Sequence, residues 1–287
     1  MSSILTNSSA MNALATLKDV NRGLNQTQDR VSTGLKVASG KDNAAYFAVS
    51  ETMKGDSGMF KAINEGMTAT KNSVATARLG AETVSDIAQQ IVERVAFAQT
   101  EGVDRKDVQL EIDALVKNMG TAIEQATFNG DNLVDGTKTG AGNEVTVTNG
   151  VKRGATFSTT SFVFEGVNLV DIETQFKAIK VYTEDVNGDP EAVQPDVAAA
   201  LTAAEGQLAA SITAATSLGI TENALEGQME FIDALTDTLD SGVSSMVDAD
   251  MEEEAARLQA YQVQQQLATQ SLSIANQAPQ NILSLFR

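Results

Sequence analysis

Residues 10–35 read Ala-Met-Asn-Ala-Leu-Ala-Thr-Leu-Lys-Asp-Val-Asn-Arg-Gly-Leu-Asn-Gln-Thr-Gln-Asp-Arg-Val-Ser-Thr-Gly-Leu, a proline-free run with helical periodicity. A seam in a helical bundle needs apolar side chains at alternating steps of three and four. Stepping that way through 10, 14, 17, 21, 24, 28, 31 and 35 gives Ala, Leu, Leu, Asn, Leu, Gln, Val and Leu, six of the eight apolar. At the far end, positions 251, 254, 258, 261, 265, 268, 272, 275, 279 and 282 give Met, Glu, Leu, Tyr, Gln, Ala, Leu, Ala, Pro and Ile. This second seam is thinner and carries amides. A helix of this kind is marginal alone and must bury its stripe against something. Leu14, Leu17, Leu24, Val31 and Leu35 are thus candidate interface residues, with Leu258, Tyr261, Leu272 and Ile282 opposite them in the chain.

Charge separates these ends from the rest. The chain of 287 residues carries a net charge of −18. Residues 1–45 nevertheless hold five basic side chains against three acidic ones, and residues 255–287 hold Arg257 and Arg287 with no acid. Nearly neutral ends can crowd together while an acidic middle stays hydrated, so the layout fits a subunit whose ends dock on copies of itself. The same acidity argues against a nucleic-acid partner. Histidine, cysteine and tryptophan are absent. The imidazole base, the thiolate nucleophile and the commonest metal ligands are therefore missing, and neither an enzyme nor a cofactor is expected. No apolar run approaches the roughly 20 residues of a membrane span, so no membrane insertion is expected. The start, Met1-Ser2-Ser3-Ile4-Leu5-Thr6-Asn7, lacks the features of a cleaved secretory signal.

Between the ends, Ser39-Gly40-Lys41-Asp42-Asn43 reads as a turn, and Gly55-Asp56-Ser57-Gly58 as a second joint. The strongest helical stripe follows: 63, 67, 70, 74, 77, 81, 84, 88, 91, 95 and 98 are apolar except Thr70. After Glu101-Gly102 comes another helix with Val108, Ile112, Leu115, Met119, Ala122 and Ala126 on one face. From Phe128-Asn129-Gly130 the period shortens, and segments 144–148 and 160–164 alternate like strands around a hairpin turn at Asn149-Gly150. Helix returns with Val197 and continues through Leu218, Leu225, Ile232 and Val243. The expected fold is mainly α, a long antiparallel helical bundle or rod with both termini at one end and a small β-rich insert at the far end. Its expected divisions are 1–45 with 250–287, 46–135 with 195–249, and an insert at 136–194.

Two acidic clusters invite chemistry and lose it on inspection. Asp185, Asn187, Asp189, Glu191 and Asp196 approach the spacing of a calcium loop, but Pro190 stands where such a loop needs glycine. It reads as an ordinary acidic loop. Glu252-Glu253-Glu254 are consecutive, so on a helix they point about 100° apart and read as a solvated charge run. The glutamines between 259 and 270 lie within the terminal stripe and read as an interface of amide hydrogen bonds.

The stretch Arg30-Val-Ser-Thr-Gly-Leu-Lys-Val-Ala-Ser-Gly-Lys-Asp-Asn-Ala-Ala45 resembles the R-x-S-[ST]-G-x-[KR]-[IV]-x-[ST]-[AG]-x-D-[DN]-A-A signature of bacterial flagellins. Ser2–Asn7 resembles that family's N-terminus, Phe128-Asn129-Gly130 its F-N-G turn, and Ala275–Arg287 its C-terminal ending. The resemblance covers about residues 1–135 and 195–287. It implies an extracellular flagellar filament subunit that self-polymerises for swimming motility, exported through the flagellar type III apparatus without a cleaved signal. It implies inner-layer helices at 1–45 and 250–287 that fold on assembly, an outer layer, and a short surface-exposed insert. Implied partners are copies of itself and sibling flagellins, hook-associated junction and cap proteins, and an export chaperone. Arg30, Ala44, Ala45, Leu283 and Leu285 join the assembly residues on the same ground. The alternatives are a hook–filament junction protein or a secreted coiled-coil adhesin.

One departure stands out. Many flagellins carry a Q-R-x-R-E-L-x-x-Q pattern that animal innate receptors recognise. Aligned on Gln99, this chain has Val92 for the first arginine and Val95 for the glutamate, keeping only Arg94 and Gln99. Weak receptor recognition is the expectation.

Overall fold

The computed structural model describes residues 7–140, 144–153, 156–183 and 195–285. The chain divides into two compact units, Met1–Ser57 with Asp237–Arg287, and Gly58–Thr236.

The first unit is built on helices α1 (Ser8–Thr33) and α6 (Met251–Leu285). Asn7 caps α1 by accepting a hydrogen bond from the Ala10 amide, and Gly34 ends it in the left-handed conformation (φ 74°), its N–H donating to the Arg30 carbonyl. Asp250 starts α6 in the same manner, accepting from the amides of Glu252 and Glu253. The unit also takes the first turns of α2 (Ala44–Phe97) and the last of α5 (Val197–Val247). Residues 34–37 lie alongside 247–249: the Lys36 and Val37 amides donate to the Val247 carbonyl, and Ala249 donates to Gly34. Val37, Val243 and Val247 form a small core there, with Leu35, Phe47, Met53 and Met246 packed on it.

In the second unit the long stripe of α2 is the core. Met67, Val74, Ala77, Ala81, Val84, Ala88, Ile91, Val95 and Ala98 are fully buried, as the periodicity predicts. Ion pairs Lys71–Glu226 (2.6 Å) and Arg78–Glu222 (2.6 Å) link α2 to α5. Helix α3 (Arg105–Gln125), capped by Asp104, buries Val108, Ile112 and Met119, and also Val116 and Ile123. Strands β1 (Thr127–Phe128) and β2 (Asp131–Asn132) form a hairpin about Asn129 (φ 52°) and Gly130 (φ 90°). Both turn residues have the positive φ that a two-residue turn of this hand requires.

Three expectations need correction, and one helix was not foreseen. Gly55–Gly58 is no joint, because α2 runs through it without a break. Ser57 is buried there with its hydroxyl bonded to Asp240 (2.7 Å), and Phe60 is buried one turn on. That packing outweighs the roughly 1 kcal/mol that each glycine costs a helix interior. Asn149-Gly150 is no hairpin turn either. It lies inside β3 (Val145–Arg153), which pairs antiparallel with β4 (Phe157–Phe164), at a register shift between Thr148 and Gly150. A side chain at Gly150 would meet the Thr160 hydroxyl at 2.7 Å, so the glycine serves a close cross-strand approach. The insert holds the β3–β4 pair, in keeping with the small β-rich insert expected, and adds a helix that was not foreseen. This is α4 (Leu169–Ala178), capped by Asn168 and burying Leu169, Ile172 and Phe176 against α3. Finally, Glu254 is not a solvated charge: only 4% of it is exposed, whereas Glu252 and Glu253 do face solvent. Of the acidic loop, Asp185, Asn187, Asp189 and Glu191 lie outside the described residues, and Asp196 accepts from the Ala198 and Ala199 amides at the start of α5.

Candidate assembly surface

Helices α1 and α6 pack antiparallel along most of their length. The α6 side of the contact follows the expected heptad: Glu254 and Ala268 are buried, and Leu258, Tyr261, Gln265, Leu272 and Ala275 are half-buried. The α1 side does not follow it fully. Ala13, Leu17, Val20, Leu24, Thr27 and Val31 face α6, with Val20 and Thr27 the most covered, while Leu14 is 43% exposed and Gln28 is exposed. One partner helix covers only a narrow stripe, and three positions of the heptad from Ala10, 14, 21 and 28, fall one residue off it.

Polar contacts run the length of this pair. The Asn7 amide donates to the Ala275 carbonyl (2.8 Å) and the Gln265 amide to Asn21 Oδ1 (2.7 Å). Gln265 is the one glutamine of that run used in this way, since Gln259, Gln262, Gln264, Gln266 and Gln270 are exposed. The Tyr261 ring sits over Gly23, where an added Cβ would meet Cζ at 2.6 Å. Arg30 donates through Nη1 to Glu254 Oε1 (3.0 Å), an ion pair in which Glu254 is almost wholly shielded. Arg257 Nη1 approaches the same oxygen at 3.4 Å.

The rest of the flagellin-like stretch is a compact connector. The Asp42 carboxylate accepts from the Ser39 hydroxyl and from the Ser39 and Ala38 amides. The Ser39 hydroxyl bond chiefly, then the two amides and the nearby Arg30 charge, hold the Asp42 pKa below its ordinary value despite partial desolvation. Asn43 caps α2 by accepting from Ala45 and Tyr46. A cleft of about 340 Å³ opens beside it, lined by Arg30, Lys36, Asp42, Tyr46 and Asp248 among others.

The structure therefore brings Leu17, Leu24, Arg30, Val31, Leu258, Tyr261 and Leu272 into the α1–α6 contact within one chain, and Leu35 into the neighbouring core. It leaves Leu14, Ala44 and Ala45 exposed. The side chains of Ile282, Leu283 and Leu285 lie outside the described ones. Sequence reasoning missed a second set of apolar residues on α6: Val263 (56% exposed), Leu267 (58%) and Ile274 (64%). Their spacing of four and then seven places them on one face, roughly opposite the residues that meet α1. The spacing was readable in the sequence, but which of two apolar stripes the chain itself covers was not. Of the receptor pattern, Val95 is fully buried in the α2 stripe and so is no surface residue, and Arg94 pairs with Glu111 (3.2 Å). Gln99 is exposed and Val92 half-buried.

Among the described residues no group of three or more carboxylates could hold a metal ion, and no helix is long and apolar enough to cross a membrane. Residues 4–139 match the family model of the bacterial flagellin N-terminal helical region, and residues 199–286 that of the bacterial flagellin C-terminal helical region. A flagellin of Brucella melitensis biotype 1 is 36% identical over 291 aligned residues, covering 100% of both chains. Flagellin C of Rhizobium meliloti is 32% identical, again over 100% of both, and flagellin FljM of Caulobacter vibrioides 31% identical over 100% of this chain and 99% of its own. A solved structure of a putative flagellar hook-associated protein from Vibrio parahaemolyticus superposes with a TM-score of 0.54 over 72% of this chain and 100% of that one. At 14% identity it speaks to the fold alone. The terminal helix pair, the connector and these relatives agree: the chain belongs to the bacterial flagellins, the structural subunits that polymerise into the extracellular flagellar filament.

Proposed function

We propose that this flagellin assembles by ordering its terminal helices between neighbouring subunits. In that reading residues 1–45 with 250–287 form the inner layer of the filament, 46–135 with 195–249 the outer layer, and 136–194 the exposed insert. The observation that carries it is the uncovered stripe Val263, Leu267 and Ile274, joined on α1 by exposed Met11 and Leu14. Burying a side chain of that size contributes about 1.5–3 kcal/mol. Fixing one residue of backbone costs about 1–2 kcal/mol. A terminal helix thus needs many such contacts at once, which a polymer surrounding each subunit supplies. Leu14, Ala44 and Ala45 would meet neighbours directly, together with Ile282, Leu283 and Leu285. Leu17, Leu24, Arg30, Val31, Leu35, Leu258, Tyr261 and Leu272 would hold the pair that presents them. Deleting residues 270–287 should leave a soluble chain that does not polymerise when seeded with filament fragments, and electron microscopy reads the outcome. Filaments built from the truncated chain would overturn the reading.

The role is structural and needs no enzymatic activity. Export through the flagellar type III apparatus without a cleaved signal, an export chaperone, and junction and cap proteins at the filament ends complete the proposal, all resting on family membership. The receptor-facing pattern is reduced to Arg94, already paired, and Gln99. Purified monomer should therefore signal weakly in a reporter-cell assay, and strong signalling would reverse that reading.

A further inference from the structure

The apolar part of the α1–α6 contact does not define how the two helices line up. On α1 the facing residues repeat with the heptad, so that Ala13, Val20 and Thr27, or Leu17, Leu24 and Val31, succeed one another at the same position. A slip by one heptad would exchange one small or branched residue for another on α1, and Ala268 and Ala275 are equally tolerant on α6, whereas Leu258 and Leu272 stand two heptads apart with the polar Gln265 between them. The polar contacts are not tolerant. At the observed alignment Arg30 meets Glu254, Asn21 meets Gln265 and Tyr261 fills the gap over Gly23. A one-heptad slip in one direction carries Glu254 to the level of Gly23. The opposite slip carries Arg30 to the level of Tyr261.

We propose that Arg30 and Glu254, supported by Asn21–Gln265 and by Tyr261 over Gly23, are positioning residues that set the register of α1 on α6. This rests on the reading that the paired ends are the assembling part. Glu254 is 4% exposed and its second oxygen, Oε2, is buried without a hydrogen-bond partner among the described residues. Its compensating contacts are therefore those at Oε1, where Arg257 is half exposed and Arg30 is mostly covered. A carboxylate so shielded is poorly suited to add stability, but every register that removes Arg30 from it is disfavoured. The same logic lets one buried polar pair specify alignment in coiled coils. The function follows from the stripe geometry. Val263, Leu267 and Ile274 reach a neighbouring subunit at one height only if α6 is held at one height on α1.

The chain contains no cysteine, so introduced cysteines report register cleanly. Thr16 and Ala268 line the same groove between the helices. Thr16→Cys with Ala268→Cys reports the observed register, and Thr16→Cys with Ala275→Cys reports a slip of one heptad. In seeded wild-type filaments only the first pair should form a cross-link within the chain. Replacing both charges, Arg30→Met with Glu254→Met, should cut the preference for the first pair at least about tenfold, and exchanging them, Arg30→Glu with Glu254→Arg, should restore it. Where a variant stays soluble, the same pairs are read on the soluble chain. The proposal is overturned if the methionine pair keeps the single register, or if the exchanged pair fails to recover it. Failure of the wild-type reporter chain to polymerise would count instead against the assembly role of the ends, so the two ideas fail separately.

Discussion

Asp42 shows how much one side chain does in the connector after α1. It takes three hydrogen bonds from residues 38 and 39 and fixes the turn that aims α2. Its folded pKa lies below the ordinary value of 3.8. The carboxylate form is thus favoured in the folded chain, and its contribution to stability is present above the ordinary value and fades as pH falls through it toward the folded one. Wild type should exceed Asp42→Asn in thermal midpoint near about pH 6, and the gap should narrow progressively as pH falls below 3.8. The group is exposed, so the gap should be small. A gap that stays constant with pH would show that charge plays no part. Much of this stretch was legible as residues: Gly34 ends a helix, Asn43 starts one, and Ser39–Asp42 is a turn. Glu254 was only half legible: the heptad count set it on the seam, but its burial as an ion pair needed Arg30, 224 positions away, to be brought beside it.

Among the elements, the helices were the most readable, since an apolar stripe of period 3.6 needs only local information. The apolar members of the stripe from Met67 to Ala98 are all buried, and Thr70, its polar member, is half-buried. Gly55 and Gly58 misled because glycine marks a weak helix, and the packing of Ser57 and Phe60 that overrides it is not local. Both glycines have open space where a Cβ would stand. Gly55→Ala and Gly58→Ala should accordingly raise stability by about 0.5–1 kcal/mol each. A rise in the thermal unfolding midpoint checks this, and a fall would mean that α2 needs its glycines there to bend. Two Asn-Gly pairs of the chain make the complementary point. Asn129-Gly130 turns a hairpin and Asn149-Gly150 sits in a strand, although the dipeptide is the same. Pairing with β4 decided the second case. Helix α4 escaped notice because its ten residues lie among strand-like neighbours, yet Asn168 with Leu169, Ile172 and Phe176 did spell a capped amphipathic turn.

The charge layout of the molecule governs how copies approach. A chain of net charge −18 repels its like, while its nearly neutral ends carry the apolar stripes. Raising ionic strength from about 0.01 M to about 0.15 M shortens the screening length from about 30 Å to about 8 Å. Seeded polymerisation followed by light scattering should speed up over that range, and slower growth would mean that ion pairs between subunits outweigh the repulsion. Composition, charge segregation and heptad spacing were enough to establish a helical protein with matched ends and without the side chains of most catalytic sites. Those properties are sums or local periods, and a linear chain displays them directly. Three-dimensional packing was needed to show which face of α6 the chain covers for itself, which cation Glu254 is buried against, and at what register the ends meet. Each of these depends on contacts between residues more than two hundred positions apart, whose alignment no local pattern encodes.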